Sequence, residues 1–162
     1  MEGLLEKISS YNIFNNLFPG ALFVYLLEKS TSVILSVDDI VKNIVLYYFV
    51  GLIIGRIGSI LFEPLLKLIR VVRFVPYPEY LAACHKDSKI EVLQESANMY
   101  RTLFSMSLLF LFSLYIMGFL TGQEYLFSKY AALFFVIIFI ISYVKQVRYI
   151  VSRVDRVNDK LP

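Results

Sequence analysis

Residues Ile44 to Phe62 read IVLYYFVGLIIGRIGSILF, an unbroken apolar run in which Arg56 is the single charge. Wound as an α-helix, the stretch is about 28 Å long, close to the ~30 Å hydrocarbon core of a bilayer. Gly51, Gly55 and Ser59 recur at every fourth residue. That spacing lines three small residues along one face, where a second helix can approach closely. Arg56 lies inside the same apolar span, and a guanidinium there must meet a partner, water or the nearby membrane surface. The stretch predicts an all-α, polytopic membrane protein.

The composition agrees. Of 162 residues 58% are hydrophobic, with a mean hydropathy of +0.67; a soluble domain carries roughly 45–50% apolar residues. The length fits one domain. A net charge of +3, with no basic arm or nucleic-acid motif, argues against a nucleic-acid partner. Cys84 is the single cysteine, so no intramolecular disulfide can form. The start, Met1-Glu2-Gly3, is acidic and no small-residue cleavage site follows an apolar core. The expectation is no cleavable signal peptide, with the first span acting as its own insertion signal.

Before the central stretch, Leu4, Ile8, Tyr11 and Phe14 or Asn15 follow three- and four-residue steps, predicting an interfacial helix over 2–16. Pro19-Gly20 then punctuates the chain. Proline suits a first helical turn and disfavours helical geometry at Phe18, so the first span is expected at about 19–37, with Glu28 in its middle. The alternative is a kinked span over 8–27 that leaves Ser30–Ser36 outside. Asp38, Asp39 and Asn43 mark the turn into the second span, 44–62, and Glu63-Pro64 its exit.

Beyond it, Lys67, Arg70 and Arg73 recur every third residue. They predict a juxtamembrane helix whose cations meet acidic headgroups, each contributing about 1 kcal/mol near an anionic surface. Pro76 and Pro78 break that helix, and residues 79–84 form a short helix of their own. Ser88-Lys89-Ile90-Glu91 fits a capping box. Ile90, Leu93, Ala97, Tyr100 and Phe104 then step by three and four, predicting one helix over 89–120 that spans the membrane from 103 to 120. Arg101 marks its border and reaches headgroups. After the turn at Thr121–Glu124 the last span, 125–144, has no small-residue stripe and is expected to face lipid. The tail, 145–162, carries Lys145, Arg148, Arg153, Arg156 and Lys160.

Lysine and arginine counts set the orientation. Twelve lie in the N-terminal helix, the loop 63–102 and the tail, against three in the two short turns (Lys29, Lys42 and Lys129). Four spans place all the basic segments on one side, so both termini and the loop are expected in the cytoplasm. Three spans would still put the two larger basic regions together, and the count alone does not separate the two cases.

No catalytic constellation emerges. His85 is the single histidine and sits beside Cys84; the two cannot close a zinc site, which takes four ligands. A Cys–His nucleophile would need the side chains to meet and a third group to orient them. No phosphate loop, HExxH or GxSxG occurs. The chain is not expected to be an enzyme or to hold a cofactor or metal. The candidate residues are the intramembrane charges Glu28 and Arg56, which adjacent antiparallel spans could bring into contact directly or through water. The competing expectation is that each snorkels to its own membrane surface. Glu63 is expected in the interface.

Asn15-Asn16-Leu17-Phe18-Pro19-Gly20, the run from Gly51 to Ser59, and Asn98-Met99-Tyr100-Arg101-Thr102 resemble features of small bacterial tetraspan proteins encoded in anti-phage defence loci. The resemblance implies an oligomeric membrane effector or membrane subunit working with a cytosolic sensor, and it carries no functional residues over. Two functions follow as expectations. One is a homo-oligomeric pore or channel of the inner membrane, drawing on the polar first span, Arg56 and the small-residue face. The other is a membrane anchor or scaffold that docks a cytosolic partner through residues 74–100 and the tail.

Overall fold

The computed structural model describes residues 2–159, with side chains described from Ile13 onward. The chain forms five helices, and no strand occurs among the described residues. They are α1 (Glu2–Ser30), α2 (Ile40–Leu68), α3 (Tyr77–Lys86), α4 (Lys89–Thr121) and α5 (Leu126–Asp159). Three of them, α2, α4 and α5, are long and apolar enough to cross a membrane, where the sequence predicts four. The difference is α1, whose first half carries Asn12, Asn15 and Asn16.

Helix α1 corrects two expectations. A separate interfacial helix over 2–16 and a span over 19–37 give way to one 29-residue helix with Pro19 inside it. Proline removes an N–H and crowds the carbonyl four residues back, yet here Pro19 is fully buried and tertiary packing carries the helix through. The apolar face of 2–16 rests on Leu4, Ile8 and Tyr11, whose side chains lie outside the described ones. At the other end the helix stops at Ser30, leaving residues 31–37 as a loop, as in the alternative that places Ser30–Ser36 outside the span.

The α1–α2 contact explains why Pro19 is followed by glycine. A Cβ added at Gly20 would lie 1.8 Å from the Tyr47 carbonyl oxygen, and one at Gly51 would lie 1.7 Å from that of Asn16. The two backbones touch, so only glycine fits at either position. Farther along α2, a Cβ at Gly58 would meet Ser105 Oγ of α4 at 2.5 Å, whereas one at Gly55 would find only ordinary contacts, the nearest at 3.5 Å. The small-residue face is therefore tight at Gly51 and roomy at Gly55, with Ser59 half-buried.

Helix α4 is the central element. Of its apolar window 39% is buried, against 17% for α2 and 11% for α5. Thr102 to Ser107 are buried without a break. Their hydroxyls are satisfied within the helix: Thr102, Ser105 and Ser107 each donate to the carbonyl four residues back, at 2.8–2.9 Å. That local bond removes the cost of a buried hydroxyl and leaves small side chains where helices converge. Gly122, at φ 70°, ends α4 in the left-handed conformation.

Beyond the apolar belt, at the end of the molecule where most Lys and Arg residues lie, α3 packs against α4 and α5. Val72, Ala83, Ile90, Ala97, Val147, Ile150 and Val154 continue the core there. The Arg153 guanidinium meets Asp87 at 2.7 Å and holds its carboxyl below the ordinary value. The capping box at Ser88–Glu91 does not form: the Ser88 side chain caps nothing. Asp87 takes the role instead, its Oδ1 accepting from Lys89 N at 3.1 Å.

Gly51→Leu should push α1 off α2 and lower stability by at least the ~1–3 kcal/mol typical of overpacking, while Gly55→Ala should be nearly neutral. Membrane-fraction yield and thermal unfolding in detergent measure both. Equal effects would show that the Gly20–Gly51 crossing does not govern the fold.

Candidate functional site

Polar groups converge where α1, α2 and α4 approach the basic end of the apolar belt. Asn15 and Asn16 come from α1, Arg56 and Ser59 from α2, and Glu95, Asn98, Arg101 and Thr102 from α4; together they line an open cavity of ≈ 200 Å³. Asn15 is buried and its amide donates to Glu95 twice, to the backbone carbonyl and to Oε2, both at 3.2 Å. One uncharged side chain of α1 thereby fixes that helix against α4.

The second part of the site is Glu63. Its Oε2 accepts from the Arg101 guanidinium and from the Tyr143 hydroxyl at 3.4 Å, and its Oε1 meets Lys67 Nζ at 2.9 Å. The Glu63 and Arg101 side chains are only 16% and 17% exposed. The device that aims Glu63 is a π turn at Gly58–Phe62. One extra residue in a helix rotates everything after it by about 100°. The rotation turns Glu63 toward α4 and α5, and Gly58 lets α4 come close at the same place.

Several expectations from the sequence change here. Glu28 and Arg56 are not partners. Glu28 Oε1 accepts from Leu35 N, Ser36 N and Ser36 Oγ at 2.6–2.8 Å, which ties down the α1–α2 loop. Arg56 stands beside Asn16 and Glu95 at the far end of the same helix pair, and Glu28 is about 18 Å along the α1 axis from Asn16. Arg101 does not reach to headgroups but is bound by Glu63. Lys67 does not share a face with Arg70 and Arg73: the helix ends at Leu68, and Lys67 lies between Glu63 and the Phe74 ring, 4.4 Å from its centroid. Arg70 and Arg73 instead gather with Arg148 of α5 around a separate groove. Arg56 is exposed, and among the described residues its guanidinium has no hydrogen bond or ion pair.

The sequence does not disclose the partnerships of Glu63 with Arg101 and Tyr143, or of Asn15 with Glu95, since no single residue announces a contact. One signal is present in it: Glu63 and Arg101 are opposite charges at the same end of consecutive antiparallel spans. Elsewhere, burial pushes the Cys84 thiol above its ordinary value, the opposite of an activated nucleophile. Among the described residues no cluster of three or more His, Cys, Asp or Glu side chains is placed to hold a metal. Compared with known protein families, curated proteins and solved structures, the chain matches none.

Arg101→Met should destabilise the protein by about 3 kcal/mol, since it leaves a mostly buried carboxylate short of its buried cation. Lys67→Met, at a half-exposed site, should cost less than about 1 kcal/mol. Thermal unfolding in one detergent ranks the two, and the reverse order would deny the Glu63–Arg101 pair its structural role.

Proposed function

We propose that the chain is a four-span protein of a bacterial inner membrane, with both termini in the cytoplasm, working as a homo-oligomeric pore-type effector. The fourth span in this reading is α1. Ser30 at one end of it is level with Ser128 at the start of α5, 3.1 Å apart, and Asn15 is level with Glu95. The segment from Asn16 to Leu27 lies alongside the apolar belt and carries no Asp, Glu, Lys or Arg. The basic end is the cytoplasmic one by the positive-inside rule.

The observation that carries the pore reading is Arg56. A guanidinium with no hydrogen bond or ion pair among the described residues, beside Asn16 and Ser59 on a cavity that opens to the outside of a single subunit, is poorly matched to lipid. It is well matched to water or to a neighbouring subunit. Arranging copies with this α1–α2 face inward would line a shared path with amides, a hydroxyl and a cation. A four-helix monomer has little room for such a path, so the pore requires several copies. The resemblance to tetraspan defence proteins supports the same class and would make membrane permeabilisation the output of anti-phage defence.

A second reading, an anchor or scaffold for a cytosolic partner, is favoured by a different feature. Helix α3 and the ends of α4 and α5 form a helical module beyond the apolar belt with its own buried residues, more structure than a pore needs on that side.

Purified protein should be sized in detergent and reconstituted into dye-loaded vesicles. The pore reading expects stable oligomers and leakage that falls about tenfold or more in Arg56→Ala. Monomers or dimers with tight vesicles would replace it with the anchor reading.

A further inference from the structure

Two cavities adjoin between α5 and the segment that follows α2, away from the Arg56 site. The first, ≈ 550 Å³, is lined mainly by Val71, Ile140, Ile141 and Val144. The second, ≈ 380 Å³, is lined by Arg70, Arg73 and Arg148 with Val147, Val151 and Asp155 among others. They share Val71, Val144 and Arg148, so they form one groove with an apolar half and a cationic half. Both volumes lie within the ~300–1,000 Å³ of small-molecule sites.

The groove has a definite orientation. Ile140 and Ile141 are about 21–22 Å along α5 from Leu126, and Arg148 is about 33 Å along. With a hydrocarbon core of ~30 Å, the apolar half sits within the edge of the core and the cationic half in the headgroup layer. Lys145 stands at the border, on the rim of the apolar half.

The four cations here are unengaged. Among the described residues, none of Arg70, Arg73, Lys145 and Arg148 has a side-chain hydrogen bond or ion pair, and the single carboxylate on the groove is Asp155. Other cations at this end have partners: Lys67 and Arg101 hold Glu63, and Arg153 holds Asp87.

Arg70 adds an independent observation. It is the one non-glycine residue with positive φ, at 60°, among the described residues. Val71 N donates to Leu66 O, and Arg70 N to Lys67 O, both at 3.0 Å. This is the helix stop in which glycine is the favoured residue at the left-handed position. An arginine there is strained where glycine would not be, and strain of this kind is kept where the side chain has a use. The turn projects Arg70 onto the groove.

We infer that this groove binds an anionic phospholipid of the cytoplasmic leaflet, its phosphate among Arg70, Arg73 and Arg148 and an acyl chain along Val71, Ile140, Ile141 and Val144. The site is separate from the Arg56 cavity and holds whether or not the protein forms a pore.

The test uses the full chain purified in detergent, with thermal unfolding followed as lipid is titrated. Phosphatidylglycerol should stabilise it at lower concentration than phosphatidylcholine. Arg148→Gln should weaken the phosphatidylglycerol response about fivefold, and Lys86→Gln, a change at an exposed cation of α3 that lines neither cavity, should leave it unchanged. Arg70→Gly separates binding from folding. It should raise the lipid-free midpoint by about 2–4 °C while also weakening the phosphatidylglycerol response. Equal stabilisation by the two lipids, or equal losses in Arg148→Gln and Lys86→Gln, would overturn the proposal. So would stabilisation by soluble glycerol phosphate as strong as that by phosphatidylglycerol, which would make the ligand a free phosphate.

Discussion

A carboxylate at the edge of a membrane has to be met by cations and hydrogen-bond donors, and Glu63 is met from three helices. Arg101 comes from α4, Tyr143 from α5, and Lys67 from its own helix one turn on. The geometry on which this depends is set locally. The π turn at Gly58–Phe62 rotates Glu63 inward, Gly58 admits Ser105, and the back-bonded hydroxyls of α4 leave it slim enough to be surrounded. A pair of this kind does not by itself make a fold stable, because desolvation offsets much of the attraction. It does specify the arrangement: a rotation of α2 that turned Glu63 away would leave the mostly buried Arg101 without its carboxylate, a state that costs several kcal/mol.

The same logic separates what the sequence makes legible from what it does not. The three apolar helices and the unbroken run of α4 from Lys89 to Thr121 follow from composition and from a period near 3.6, both properties of one segment at a time. The continuity of α1 through Pro19 is a property of two segments. It exists because Gly20 lets the Tyr47 carbonyl approach and Gly51 lets that of Asn16 approach. Read alone, Pro19-Gly20 is a stop signal; seen against α2, it is the place where two backbones touch. Glu28 misleads in the same way: its charge suggests an intramembrane partner, but the nearest donors are the loop amides of Leu35 and Ser36. The Ser88 capping box fails because Asp87, one residue earlier, is the better acceptor and is already held by Arg153.

The candidate site is legible in part. Arg56 stands out in any reading of the central span, and Gly51 does pack tightly. The cavity around Arg56 is assembled from Asn15 and Asn16 on one side and Glu95 and Asn98 on the other, residues that are polar, common and widely separated. Nothing in their spacing brings them together. The antiparallel α1–α2 crossing and the contact of α1 with α4 do so, and those depend on glycine positions whose importance is visible only once a partner helix is known.

The cations at the basic end divide by what they face. Arg101, Lys67 and Arg153 are turned inward to carboxylates and hold helices together. Arg70, Arg73 and Arg148 are turned outward around an apolar groove and, among the described residues, hold no carboxylate or other partner. A basic count supports the side of the membrane proposed for this end, since every cation contributes alike to that rule. It does not explain why one set is neutralised internally while the other is kept free, nor why Arg70 occupies a backbone position that glycine would fill with less strain. An external anion accounts for both features at once, and a lipid phosphate is the anion that the depth of the groove and its apolar half select.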